Sequence, residues 1–372
     1  MKKITMTAAV LALVATSITA APAANAASVP ASKATYGAQC ATVGATAAGK
    51  GADGSALRCM NATKGTFKGK RIWNYATWPV LKDIEVAVPN TATSGFAGFG
   101  RAIADGLKKE GLISTDAKMT YTLPPYNLTL NYFNKTLAGK AGKLGVSGFA
   151  QVTGAYTSKS ETMPSSGVPA ARMYAEFNAI AVKANSKYTS IKQLMADLEK
   201  EPKAMTIIGG AKGGVDNFTA AKIFEAESIP VELMSYVASG TVAASLLSDA
   251  KYAFGISSYS DFAKYVPSGD LRILAVTSPT RLPGTTIPTL KSQGVDVVVQ
   301  NWRGIMLPPK TPVAAQRLVI RALDVVSKSK SYNDYLTGEK GFGPFLPGAA
   351  WGKFLKDQET SLKRLLTSAG LL

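Results

Sequence analysis

The chain has 372 residues, of which 42 are basic and 24 acidic, and it contains two cysteines and no histidine. Without histidine, Ser-His-Asp and Cys-His catalysis and histidine-ligated metal sites are excluded, and no metal or other cofactor is expected. Hydrophobic residues make up 46%, which suits a packed globular protein, so disorder does not account for the missing catalytic groups.

Residues 1–26 read as a cleaved export signal. Lys2 and Lys3 form the charged start, a moderately apolar run follows, and Ala24-Asn25-Ala26 is a small-x-small cleavage site. No second apolar run approaches the roughly 18–20 residues needed to cross a bilayer. The mature chain is therefore expected to be soluble and extracytoplasmic: secreted, in the cell-wall space or in the periplasm. Loss of two lysines leaves a charge of 40 − 24 = +16. That charge is dispersed, with few aromatics beside it, which argues against nucleic acid. Outside the cell it makes anionic cell-wall polymers a candidate partner. Cys40 follows Gly37-Ala38-Gln39 well beyond the signal, so no lipidation motif is present and retention at a surface would fall to charge.

Residues 27–81 form a small module and linker rich in Gly, Ala, Lys and Thr, and they hold both Cys40 and Cys59. They read as short strands and turns, with 71–75 the last strand. In an exported chain the two cysteines are expected to pair. A bridge closing a loop of about 20 residues contributes roughly 3 kcal/mol in the chain-entropy model, and it helps a segment too short to bury a core. Two roles are open, a structural extension of the main body or a wall-binding unit.

From residue 82 strands alternate with helices. "IEVAV" (84–88) is a strand, and 96–110 has helical spacing. "KMTYTL" (118–123), "KLGVS" (143–147) and "FNAIAVK" (177–183) are further strands. In "TSIKQLMADLEKEP", Ser190 and Gln193 form a capping box, and Ile191, Leu194 and Leu198 one apolar face. "AMTIIGG", "VELMSYV", "YAFGISS" and "LRILAVTS" continue the alternation. Thr311-Pro312 reads as an N-cap followed by proline at the first helical position, with 313–327 continuing the helix. Residues 349–367 close the chain as a helix with Trp351, Phe354, Leu355, Leu362 and Leu365 on its buried side. Such alternation predicts parallel α/β sheets. The number of units, without the regularity of an eightfold barrel, predicts two lobes.

In open parallel sheets, ligands bind beyond the carboxyl ends of the strands, where helix N-termini present free N–H groups. Here those positions are rich in small and hydroxyl residues and concentrate no acids. The first loop supplies Asn90, Thr91 and Ser94; the stretch 123–133 supplies Tyr126; the next loop Ser147, Phe149 and Gln151. "GGAKGGVDN" supplies Gly210, Lys212, Gly213, Asp216 and Asn217, "ASGT" supplies Ser239 and Thr241, and "SSYSD" supplies Ser257 and Ser258. Backbone amides and hydroxyls converging from these loops suit a small anion bearing carboxylates. "GGAKGG" matches neither G-x-x-x-x-G-K-[ST] nor G-x-G-x-x-G, so nucleotide chemistry is not indicated. There is no G-x-S-x-G elbow, and the Ser/Lys pairs near Ser327 and Ser361 lie in surface-helix contexts. Asp216, Asp249 and Asp261 read as helix caps or solvated groups, not as a catalytic carboxylate pair. An enzyme is not expected.

From about residue 83 to the C-terminus the chain resembles the extracytoplasmic solute receptors of tripartite tricarboxylate transporters. The resemblance rests on "YVASGTVAASLLSD…GDLRILAVTSPTRLPGTTIPTLKSQGVDV", on "NWRGIMLPPKTP", on "NAIAVKANSKYTSIKQLMADLEKEP" and on "TIIGGAKGGVDNFTAAKIF". It implies an α/β fold of the periplasmic-binding-protein-like type II class, a two-lobed Venus flytrap to which the disulfide-stapled β-rich module is added. One lobe would comprise 82–180 with 301–372, the other 181–300. It also implies that a small organic carboxylate (a di- or tricarboxylate or an aromatic acid) is held between the lobes by backbone N–H groups and ordered water. Release to membrane transporter subunits would follow opening, with the receptor acting as a monomer. The sequence departs from the family where "PNTATSGF" lacks a glycine pair and an acid, and where Tyr126 and Asn127 stand in place of glycines. These bulkier residues suggest a changed ligand, with Tyr126 and Phe149 as candidates to stack on a ring. Lys212 reads either as a direct anion contact or as a solvated loop lysine, and Trp302 is expected to pack against the hinge. The alternative function is a wall-associated basic adhesion or scaffold protein that uses a receptor fold without transport.

Overall fold

The computed structural model describes residues 27–123, 125–201, 205–210, 213–229, 234–237, 241–368 and 372. The expected export signal (residues 1–26), Lys212 and Ser239 lie outside the described residues.

The N-terminal module is a three-stranded antiparallel sheet of β1 (Thr46–Ala47), β2 (Leu57–Asn61) and β3 (Arg71–Tyr75). The Cys40–Cys59 disulfide pins its start to β2. Its buried residues, among them Tyr36, Leu57, Ile72 and Trp73, belong to the same apolar cluster as the helices of the adjoining lobe. Polar contacts fix the joint. The Tyr75 hydroxyl donates to Asp324 Oδ2 at 2.7 Å, and Arg321 Nε donates to Asp53 Oδ2 at 2.7 Å. The Thr66 N–H and hydroxyl donate to the two oxygens of Glu110 at 2.7 and 2.6 Å. The module is thus built into the body of the protein.

The main sheet runs β5 (Lys118–Tyr121), β4 (Glu85–Val88), β6 (Lys143–Gly148), β12 (Gln300–Leu307), β7 (Val168–Lys183), β10 (Tyr252–Ser258), β8 (Thr206–Gly209), β9 (Met234–Tyr236). β11 (Leu271–Val276) and β13 (Leu346–Pro347) also pair with β7. The expected parallel α/β sheets are found within each lobe but not across the strands that join them. β4 is parallel to β5 and β6, and β8 to β9 and β10, but every pairing of β7 and β12 is antiparallel. The reason is connectivity: each lobe has its own parallel set, and β7 and β12 cross between them in opposite directions. β7 is also 16 residues long, far beyond the expected 177–183. Its first part pairs with β12 and its last part with β10 and β11, so one strand serves both lobes.

Helices cover the faces: α1 (Gly95–Lys109), α8 (Val313–Lys328) and α9 (Lys330–Gly338) on one side of the first lobe, α2 (Tyr126–Asn131), α3 (Phe149–Thr157) and α10 (Gly348–Ser368) on the other. The second lobe carries α4 (Ile191–Lys200), α5 (Val215–Ala226), α6 (Val242–Ser248) and α7 (Tyr259–Ala263). α9 had no sequence expectation, and α8 starts one residue later than expected: Pro312 is its N-cap, and Thr311 Oγ1 donates to the Pro308 carbonyl at 2.7 Å. Before α4, Ser190 accepts from the Gln193 N–H at 3.3 Å, while the Gln193 side chain reaches back to the N–H of Thr189, not Ser190, at 2.9 Å. Trp302 is fully buried with Trp351 edge-on at 5.2 Å, as expected of a hinge-packing residue.

Candidate ligand-binding cleft

At the carboxyl end of β4, residues 89–94 lead into α1. Ser94 is its N-cap. Its Oγ accepts from the Ala97 N–H at 3.2 Å and donates to the Thr91 carbonyl at 2.7 Å, so this hydroxyl is committed to starting the helix. Asn90 Oδ1 accepts the N–H of Thr91 at 2.8 Å, and its Nδ2 reaches the Tyr126 hydroxyl at 3.4 Å. Tyr126 opens α2, and its ring lies so close to α3 that a Cβ on Gly154 would stand 1.9 Å from Cδ2. Only glycine fits there. Asn90, Thr91, Ser94 and Tyr126 therefore form one connected wall of the first lobe.

Ser147 and Gln151 are buried. They face a cavity of about 20 Å³ under α2, lined also by Val88, Pro89 and Asn134. Ser147 Oγ and Asn134 Oδ1 have no hydrogen-bond partner among the described residues, and the space matches one water or one ligand oxygen. Phe149 corrects an expectation. It is 1% exposed, and its ring packs edge-on against Phe218 of α5 at 5.2 Å. Two apolar rings at facing helix N-termini bury each other, so Phe149 bridges the lobes and offers no open face for stacking.

The glycine loop after β8 is held by the first turn of its own helix. The Gly210 N–H donates to Asp216 Oδ2 at 2.8 Å, and the Gly213 N–H to Asn217 Oδ1 at 3.1 Å. The expectation that these amides stand open to an anion is corrected: the side chains of the second and third residues of α5 reach them first. Gly213 has φ of +74°, which allows the loop to double back. Asp216 also accepts from Asn178 Nδ2 at 2.8 Å, and burial pushes its carboxyl up to about 6. Thr241 is the N-cap of α6. The buried Asp261 accepts from the Ala243 N–H at 3.2 Å, while Asp249 pairs with Lys251 at the surface. Ser257 lies buried in β10 opposite Ala179, and Ser258 caps α7 by accepting from the Asp261 N–H at 3.2 Å.

Three residues of the crossover strands complete the cleft and had no expected role. Asn178 ties β7 to the glycine loop through Asp216 and to Thr219 Oγ1 at 3.1 Å. Glu176 is buried, and Ser260 of α7 donates to it at 3.2 Å. Arg303 lies with its guanidinium over the Tyr174 ring, 4.4 Å from the centroid. Burial pushes the Tyr335 hydroxyl up to about 12, with Arg303 pulling the other way. The signal for these residues is polarity inside apolar strands, as in "AEFNAIAV" and "NWRGIML".

The family model described as the tripartite tricarboxylate transporter family receptor (TctC) matches residues 168–371, more than half of the chain. The chain belongs to this family. A TctC solute binding protein from Polaromonas is similar in fold, with 20% identity over 77% of this chain and 98% of its own, and a TM-score of 0.66. MatC from Rhodopseudomonas palustris with bound malate gives 14% identity over 76% and 98%, with a TM-score of 0.59. The R. palustris protein Rpa4515 with adipate gives 16% identity over 77% and 97%, with a TM-score of 0.58. No curated protein matches the sequence. As a TctC-family receptor the chain has the periplasmic-binding-protein fold, two lobes on crossed strands, with the stapled module added. Among its described residues no helix is long and apolar enough to cross a membrane.

Proposed function

We propose that this TctC-family receptor captures a small organic carboxylate between its lobes and hands it, chemically unchanged, to membrane transporter subunits outside the cytoplasm. The observation that carries the reading is the Phe149–Phe218 contact at 5.2 Å. It brings together the N-terminal turns of α3 and α5, one from each lobe. Helix N-termini carry partial positive charge and unpaired N–H groups, so their meeting across a hinge favours an anion. The neighbouring walls add Asn90, Tyr126, Ser147 and Gln151 from the first lobe and Thr241 and Ser258 from the second. Malate-bound and adipate-bound relatives of the same fold support the ligand class.

The test is a thermal-shift series with malate, adipate, citrate and benzoate. A ligand at 100 times its Kd stabilises by about 2.7 kcal/mol, so at least one acid should raise the melting temperature clearly. The second reading is a wall-associated adhesion or scaffold protein, favoured by the net charge of +18 on the full chain. It expects no response to any acid, together with release from cells by high salt.

A further inference from the structure

Trp302 and Arg303 are neighbours in β12 and so project to opposite faces of the sheet. Trp302 is buried against α10, while Arg303 points to the side of α1 and α9. A Cβ on Gly95, the first residue of α1, would stand 2.8 Å from Arg303 Nη2. In the sheet Arg303 pairs with Gly148, the last residue of β6 before α3. The guanidinium therefore lies where two helix starts of the first lobe meet the hinge.

Its charge is answered only in part: against burial, the Tyr174 and Tyr335 hydroxyls and Glu176 favour the charged form, but none is a paired carboxylate. Nη1 is buried without a hydrogen-bond partner. Among the described residues no carboxylate comes within ion-pair distance of Arg303. Glu176 acts on it only at longer range, since its own oxygens accept from Ser260, Tyr174 and Asn301 at 3.2, 3.4 and 3.4 Å. A guanidinium with a buried, unpartnered N–H and no carboxylate beside it can still take up an anion, which adds a charge-assisted pair.

We propose that Arg303 is the charge-selecting residue of the cleft: its planar guanidinium pairs with a carboxylate of the ligand and restricts the ligand class to organic acids. This rests on the receptor reading above and adds the group that sets its specificity. A guanidinium matches a carboxylate through two parallel N–H···O bonds, which a lysine cannot reproduce. Neutral amides of the same shape would leave the cation unpaired and are rejected.

The experiment is calorimetric titration of the mature chain with malate and adipate and with the corresponding diamides. It compares wild type, Arg303→Gln, Arg303→Lys and the exposed control Arg317→Gln. The expected result is binding of an acid but not its diamide by wild type, about 10- to 100-fold weaker acid binding by Arg303→Gln, intermediate binding by Arg303→Lys, and no change in the control. Acid binding by Arg303→Gln as tight as wild type overturns this inference alone. Failure of wild type to bind any acid overturns it together with the receptor reading. Where Arg303→Gln does not fold, a crystal structure of the wild-type complex decides. A carboxylate oxygen within hydrogen-bond reach of Arg303 supports the assignment, and one beyond that reach overturns it.

Discussion

Asp216 shows how one side chain shapes a whole loop. Its carboxyl accepts from the Gly210 N–H and Asn178 Nδ2, so the Gly210 amide is taken up within the loop itself. Burial raises its folded pKa to about 6 from an unfolded value of 3.8. The folded chain holds this proton more tightly, so its contribution to stability is full below about pH 4 and lost as pH rises through about 6. The expected size is of order 1–3 kcal/mol. Asp216→Asn should therefore flatten the dependence of melting temperature on pH between about 4 and 7, relative to wild type. Asn178 Oδ1 has no partner, so turning the Asn178 amide can satisfy the new side chain. Parallel curves for the two proteins would sink the assignment. The "GGAKGG" spacing in the sequence excluded a phosphate loop, but the self-capping by Asp216 and Asn217 was not legible there. It depends on how tightly the loop folds back on its own helix.

At the scale of elements, the module makes the sharpest prediction. Its sequence reads as short strands and turns with Arg71–Tyr75 the last strand, which matches β3, while the positions of β1 and β2 are not legible in it. Whether it stands apart or joins the body was not readable, because its partners Glu110, Arg321 and Asp324 lie far away in sequence. Since the apolar cluster is continuous, replacing Cys40 and Cys59 by serine should lower the single melting transition, at a cost of about 3 kcal/mol from the freed loop. Calorimetry distinguishes this from an independent unit: a new low-temperature transition with the main one unmoved would show that the module folds alone. β7 teaches the same lesson. Its end at 177–183 was visible as an apolar run, whereas its first half reads ambiguously because Arg172 and Glu176 interrupt it. Arg172 is tolerated there by stacking over Phe354 at 4.3 Å, and Glu176 by its three donors.

For the whole molecule, the question is what sets the balance between closed and open lobes. Phe149 and Phe218 meet across the cleft, and such a pair contributes roughly 0.5–1.5 kcal/mol beyond its buried area. Phe218→Ala should shift the ligand-free chain towards open forms, seen as a larger radius of gyration in solution scattering. Acid affinity should weaken by up to about tenfold, since closure must then be driven by the ligand. Unchanged scattering and unchanged affinity would remove the contact from the closing mechanism.

By itself the sequence determined the alternation of strands and helices, the hydroxyl-rich strand ends, the cysteine pair and the absence of histidine. These are local properties, set by periodicity, capping residues and composition. Tertiary structure alone decided that the crossover strands run antiparallel and that the glycine loop's amides at Gly210 and Gly213 are spent on Asp216 and Asn217. It also decided that Phe149 serves as a bridge and that Arg303 stands beside the start of α1. Each of these joins residues tens to hundreds of positions apart or turns on which neighbour reaches a polar group first, and burial makes that competition decisive.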